Sequence, residues 1–152
     1  YQNFVGEKKA YEFRNKGYFS YKPFQNLKVI SFNCFLCDAV NFHLIKNPTD
    51  PLGQIDWLVQ ELEQSEKSNE SVYIIGHIPP GEWSFLVECN KRYNAILDRF
   101  ENIIKGQFFG HTHNDHIYLK KGYFDKDRFT GLVFTAPSTT TYSYLNPSFR
   151  YF

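Results

Sequence analysis

Two short apolar stretches constrain this chain more than anything else in it. Ser71-Val72-Tyr73-Ile74-Ile75 runs into Gly76-His77, and Lys105-Gly106-Gln107-Phe108-Phe109 runs into Gly110-His111. Runs of this length, rich in β-branched and aromatic residues and stopped by glycine, read as buried strands. The segments around them repeat differently. Leu52, Ile55, Leu58, Val59 and Leu62 recur at helical spacing, as do Tyr93, Ile96, Leu97, Phe100 and Ile104. Asp50-Pro51 marks the start of the first helix, a carboxylate cap followed by proline in the first turn, and the pattern continues to about Lys67. Residues 27–33 read as a further strand, and residues 117–120 and 132–135 as two more around a polar turn centred on Asp125-Lys126-Asp127. Residues 1–26 show no clear period and are expected to be mostly irregular.

The order strand, helix, strand, helix, strand, strand pair predicts an α/β domain. Strand–helix–strand units have parallel strands joined by right-handed crossovers, and ligands of such sheets gather at the carboxyl ends of the strands. That rule brings His77 and the loop His111-Thr112-His113 to one edge, although 34 positions separate His77 from His111. Neutral imidazole is the commonest protein ligand of zinc and its neighbours. His111 and His113 either grip one metal or face two, and His77 is placed to join either. Three histidines suffice for a lone hydrolytic zinc site with an open position for water. His43 and His116 have no such placement and read as ordinary polar residues.

Composition removes several function classes. With 17 Lys+Arg against 16 Asp+Glu there is no basic footprint for nucleic acid. No run approaches the ~18 apolar residues of a membrane span. Phe, Tyr and Trp make up 19% of the chain, from lineage bias or from a surface that meets lipid or a flat ligand. The chain contains no methionine, so it is expected to be a processed product or a piece of a longer protein. Cys34 and Cys37 form a C-x-x-C pair with Cys89 as the odd third; alone, that pair reads as a redox motif or half a zinc knuckle, with no second C-x-x-C to complete the latter. Asn69-Glu70-Ser71 is a glycosylation sequon at a helix-to-strand connection.

Gly76-His77-Ile78-Pro79-Pro80-Gly81, Gly106-Gln107-Phe108-Phe109-Gly110-His111-Thr112-His113, and Ala136-Pro137-Ser138-Thr139-Thr140-Thr141-Tyr142 with Leu145-Asn146-Pro147 together resemble the acid sphingomyelinase branch of the calcineurin-like metallophosphoesterases. The segment from Asn47 to Leu58 is similar to the same branch, and the resemblance runs from about Gly17 to Phe152. It implies a sandwich of two β-sheets flanked by helices, here incomplete, and a site for two zinc ions. His77 and His111 would bind one ion and His113 the other, with a water between them attacking phosphorus. Tyr142 would contact a substrate head group, unless it serves packing or turn hydrogen bonding. A Cys37–Cys89 disulfide is also implied, leaving Cys34 free. The family's Asp-x-His, Gly-Asp and Gly-Asn-His motifs do not occur here, so residues 1–152 are expected to be the carboxyl-terminal part of a catalytic domain, inactive alone.

The implied activity is zinc-dependent hydrolysis of sphingomyelin, a phospholipid substrate met at a membrane surface, to ceramide and phosphocholine. The implied location is lysosomal or extracellular, the oxidising setting in which such a bridge persists. The alternatives are a phosphodiesterase for nucleotides or other phosphoesters, a self-contained three-histidine zinc site, and a binding module of the same fold without catalysis.

Overall fold

A computed structural model describes residues 5–152. The chain forms α1 (Glu7–Lys16), β1 (Phe19–Phe24), β2 (Leu27–Ser31), α2 (Gln54–Lys67), β3 (Ser71–Ile75), α3 (Val87–Arg99), β4 (Ile104–Phe109), β5 (His116–Lys121) and β6 (Phe129–Thr135). Three short 3-10 turns, Cys34–Cys37, Phe42–Ile45 and Pro51–Gly53, carry the chain from β2 to α2. The strands make one six-stranded sheet in the order β1-β2-β3-β4-β6-β5. β2, β3, β4 and β6 are mutually parallel, and β1 and β5 close the edges antiparallel. Among the described residues this is one sheet of the two that the sandwich implies.

The register explains which side chains meet. Ile30 lies opposite Ile74, Ile74 opposite Gln107, and Gln107 opposite Val133, so these residues share a face with Val72 and Phe109 because side chains alternate along a strand. Onto that face α2 brings Leu58 and Leu62, and α3 brings Tyr93 and Leu97, all buried. Burying side chains of this kind contributes about 1.5–3 kcal/mol each. The Tyr93 hydroxyl donates to Gln107 Oε1 at 3.0 Å, which satisfies two polar groups inside the core. On the opposite face Phe108 stacks on Phe134 at 5.2 Å, and Phe152 meets Phe108 edge-on at 4.9 Å.

The start of the first long helix differs from the expectation in an instructive way. Pro51 opens a 3-10 turn and α2 begins at Gln54, yet Asp50 still caps it: its carboxylate accepts from the Ile55 and Asp56 N–H groups at 2.9 and 3.2 Å. Gln54 is buried and clamps the end of β2, accepting from Asn33 N–H at 2.7 Å and donating to Asn33 O at 3.1 Å.

The amino-terminal region corrects the expectation of irregular structure for residues 1–26, of which residues 1–4 lie outside the described ones. Glu7–Lys16 is helical and ends at Gly17 in the left-handed conformation, and Phe19–Phe24 is a strand. Ala10 alone of the helix is fully buried, and β1 is an edge strand interrupted by Pro23. Neither element carries the apolar period that identifies its neighbours, so tertiary support decides both. Ile104, assigned by spacing to the second helix, instead opens β4.

Candidate metal centre

Both Gly-His motifs lie just beyond the carboxyl ends of β3 and β4, adjacent parallel strands in the middle of the sheet. Gly76 allows the first chain to pass: a Cβ there would stand 2.8 Å from Cys34 Sγ and 2.8 Å from a Phe109 ring carbon. The Gly110 N–H donates to His77 O at 2.8 Å, tying the second loop to the first. His111 and His113 both take positive φ, 70° and 62°, a left-handed backbone uncommon for residues other than glycine, in which histidine is enriched. Strain of this sort persists where surrounding contacts hold it and often marks a functional site. Here the Thr112 N–H bonds to Gly110 O at 2.8 Å and the Ser138 N–H to His113 O at 3.3 Å.

The structure brings His77 and His111 together and sets His113 apart. His111 Nδ1 and His77 Nε2 are 3.3 Å apart, with the rings edge to face. The other nitrogen of His111 meets Ser84 Oγ at 3.3 Å, and Ser84 is 2% exposed. His113 Nδ1 faces Ser143 Oγ at 2.9 Å, and its ring lies 6.0 Å from that of Tyr142, which is 84% exposed. Burial, then the neighbouring His111 and His113, hold His77 below the usual histidine range against the opposing pull of Asp38. That favours the neutral imidazole, the form that binds metal.

The pair fits a shared divalent ion. Two imidazole nitrogens, each about 2.0–2.1 Å from one tetrahedral ion, lie about 3.3 Å from each other. Among the described residues no cluster of three His, Cys, Asp or Glu side chains converges, so the fit is to part of a ligand shell. Among the described residues the three histidines do not form one group; the His111 ring meets Ser84 and the His113 ring meets Ser143.

Two residues of this site escaped the sequence reading. Ser84 and Ser143 sit on the second ring nitrogens of His111 and His113, the position from which an outer hydrogen bond fixes a ligand's tautomer and orientation. No spacing rule points to Ser84; Ser143 follows Tyr142 but carries no motif of its own. Ser84 is positioned by its loop. Cys37 is bonded to Cys89, Ala39 N–H donates to Ser84 O at 2.7 Å, and Leu86 N–H donates to Cys37 O at 2.8 Å. Cys34 is free and buried; burial above all pushes its thiol up to about 11, so it stays protonated and unreactive. His43 and His116 are exposed, and Asn69 sits exposed in the turn after α2 with φ 53°.

This parallel sheet with histidines at its central strand ends is a metallophosphoesterase-type α/β fold. A solved dimetal phosphatase from Danio rerio superimposes with a TM-score of 0.61 at 13% identity, over 82% of this chain and 51% of that one. By sequence the chain is homologous, over most of its length, to proteins named sphingomyelin phosphodiesterase. It is 42% identical over 141 residues to the Bos taurus sphingomyelin phosphodiesterase, covering 88% of this chain and 21% of that protein. It is 33% identical over 146 residues to the Mus musculus cyclic GMP-AMP phosphodiesterase SMPDL3A, covering 90% of this chain and 32% of that one. The chain thus spans about a fifth to a third of the length of these relatives. No protein-family model matches it.

Proposed function

We propose that this chain supplies the histidine side of a two-zinc site in a phosphodiesterase that hydrolyses sphingomyelin to ceramide and phosphocholine. The observation that carries the reading is the His77–His111 pair, two nitrogens at 3.3 Å on adjacent parallel strand ends. Its sphingomyelin specificity rests on the 42% identity to the Bos taurus enzyme. His77 and His111 would hold one ion and His113 the other. Bound ions supply charge neutralisation at phosphorus and a lowered pKa for water. This chain's own residues do the positioning. Ser84 and Ser143 fix two rings, burial keeps His77 neutral, and Tyr142 stands beside His113 to receive the head group. The carboxylates that complete the shell would come from outside residues 1–152, in a protein of the secretory pathway or lysosome. There the Cys37–Cys89 bridge is stable and Asn69 is free to carry a glycan.

A second reading, hydrolysis of a nucleotide phosphodiester, is favoured by the mouse relative that acts on cyclic GMP-AMP. One experiment separates the two and tests both. The full-length protein, stripped of metal and reloaded with zinc, is assayed on sphingomyelin and on cyclic GMP-AMP, with His111→Ala alongside. The expected result is zinc-restored sphingomyelin hydrolysis that His111→Ala abolishes, with lower zinc content in that variant. Activity on cyclic GMP-AMP alone assigns the second reading. A His111→Ala protein that keeps full zinc and full activity sinks both, whereas hydrolysis by the isolated 152-residue chain overturns the half-site.

A further inference from the structure

The far end of the sheet holds a second concentration of charge. β5 pairs His116 with Thr135 at the histidine end and Lys121 with Phe129 at the other, a separation of about 17 Å along the strand. There a cavity of about 300 Å³ is walled by Lys120, Lys121, Lys126, Tyr123 and Asn94 among others, with no carboxylate in its lining. The turn that returns Lys126 to this wall depends on Gly122. Its N–H donates to Arg128 O at 2.8 Å, and a Cβ there would lie 2.4 Å from Asp125 O. Asp98, on α3, anchors the same turn by accepting from the Tyr123 and Phe124 N–H groups at 2.7 and 3.1 Å.

What sets these three lysines apart is that they line one wall. Seven other cations, Lys9, Lys22, Lys28, Arg92, Arg99, Arg128 and Arg150, each reach a carboxylate. Among the described residues Lys120, Lys121 and Lys126 form no such ion pair, and they alone of the unpaired cations share a cavity lining; Lys126 lies 5.0 Å from the centre of the Tyr123 ring. Burial, and after it the charge of Lys126, pushes Lys120 below the usual lysine range against the pull of Asp98. Like charges held at a concave wall focus an attractive field on an anion, and ammonium-to-phosphate hydrogen bonds are among the stronger ones available.

We propose that this cavity binds a phosphate-type anion through Lys120, Lys121 and Lys126, separately from the histidine centre. The anion comes from solution or from an acidic lipid head group, and the exposed Phe124 and Phe129 rings nearby are what a lipid would meet.

Amine acylation of the full-length protein, read by mass spectrometry, tests this directly. Labelling of Lys120, Lys121 and Lys126 is compared with that of exposed Lys67. The four conditions are chloride, inorganic phosphate at matched ionic strength, phosphatidylcholine vesicles, and phosphatidylcholine vesicles containing phosphatidic acid. Labelling at the three sites is expected to slow about threefold once the anion reaches twice its dissociation constant. Slowing in phosphate assigns a soluble ligand, and slowing only with phosphatidic acid assigns the lipid. Equal labelling throughout, or slowing that Lys67 shares, overturns the proposal. A Lys120→Gln/Lys126→Gln protein should keep its hydrolytic activity and lose protection at Lys121; protection that survives there also overturns it.

Discussion

Removing the Cys37–Cys89 bridge tests how the loop behind the histidines is held. The bridge joins residues 52 apart in sequence. In the chain-entropy account, closing a loop of that size removes about 14 cal/mol/K from the unfolded chain, or about 4 kcal/mol at 25 °C. In Cys37→Ala/Cys89→Ala the folded loops keep their other ties: the Ala39–Ser84 and Leu86–Cys37 hydrogen bonds and the Asp38–Phe85 β-bridge. The loss therefore falls mainly on the unfolded side, and the expected effect is about 4 kcal/mol, seen as a lower Tm. Thermal unfolding of the full-length double variant against its parent measures it. Local hydrogen exchange over residues 36–45 and 82–90 of the folded variant should stay close to that of the parent. A loss under about 1 kcal/mol, or loops that open in the folded variant, would refute the argument.

Three further outcomes follow from single contacts. Ser84→Ala removes the partner of His111 Nε2 and should weaken divalent-metal binding about tenfold or more, read by competition with a chelating dye; unchanged affinity would show that the contact orients nothing. Lys28 is 1% exposed and bonds Glu61 at 3.0 Å, so Lys28→Met, which strands that carboxylate, should cost about 3–5 kcal/mol in urea unfolding. Burial raises the Glu61 carboxyl, but Lys28 and Ser20 outweigh it and leave it below its usual value of 4.5. Its stabilising contribution is thus complete above that value and lost as pH falls through the lower folded one, an acid-limb slope that Lys28→Met should flatten. Gly76→Ala places a methyl 2.8 Å from Cys34 and Phe109 and should cost about 1–3 kcal/mol while displacing His77, seen as lower zinc content at equal expression.

The elements that were legible in the sequence are those whose local pattern and burial agree. β3 and β4 are short apolar runs buried on the helix-covered face, and α2 repeats apolar residues on the face it buries, so propensity, period and packing all point one way. The glycine-histidine endings placed His77 and His111 correctly for the same reason: a parallel sheet puts successive strand ends on one edge whatever their separation in sequence. α1 and β1 lack that agreement. A helix burying little beyond Ala10, and an edge strand broken by Pro23, exist only because the rest of the sheet is there to receive them.

The sequence pattern brings the three histidines to one edge, and the family resemblance pairs His77 with His111; the contacts that hold the rings are not written in either. Identity and spacing are enough to deliver three imidazoles to one edge. Whether they share an ion depends on φ at His111 and His113, on a seryl hydroxyl 27 positions away from His111, and on a disulfide holding that serine's loop. Each of these is a contact between residues remote along the chain. The same holds at the other end of the sheet, where Lys120 and Lys126 look like ordinary surface charges until the turn at Gly122 returns Lys126 to the wall that Lys120 lines. Periodicity reports which side of an element is buried; only the tertiary structure decides which polar groups find partners and which are left without them.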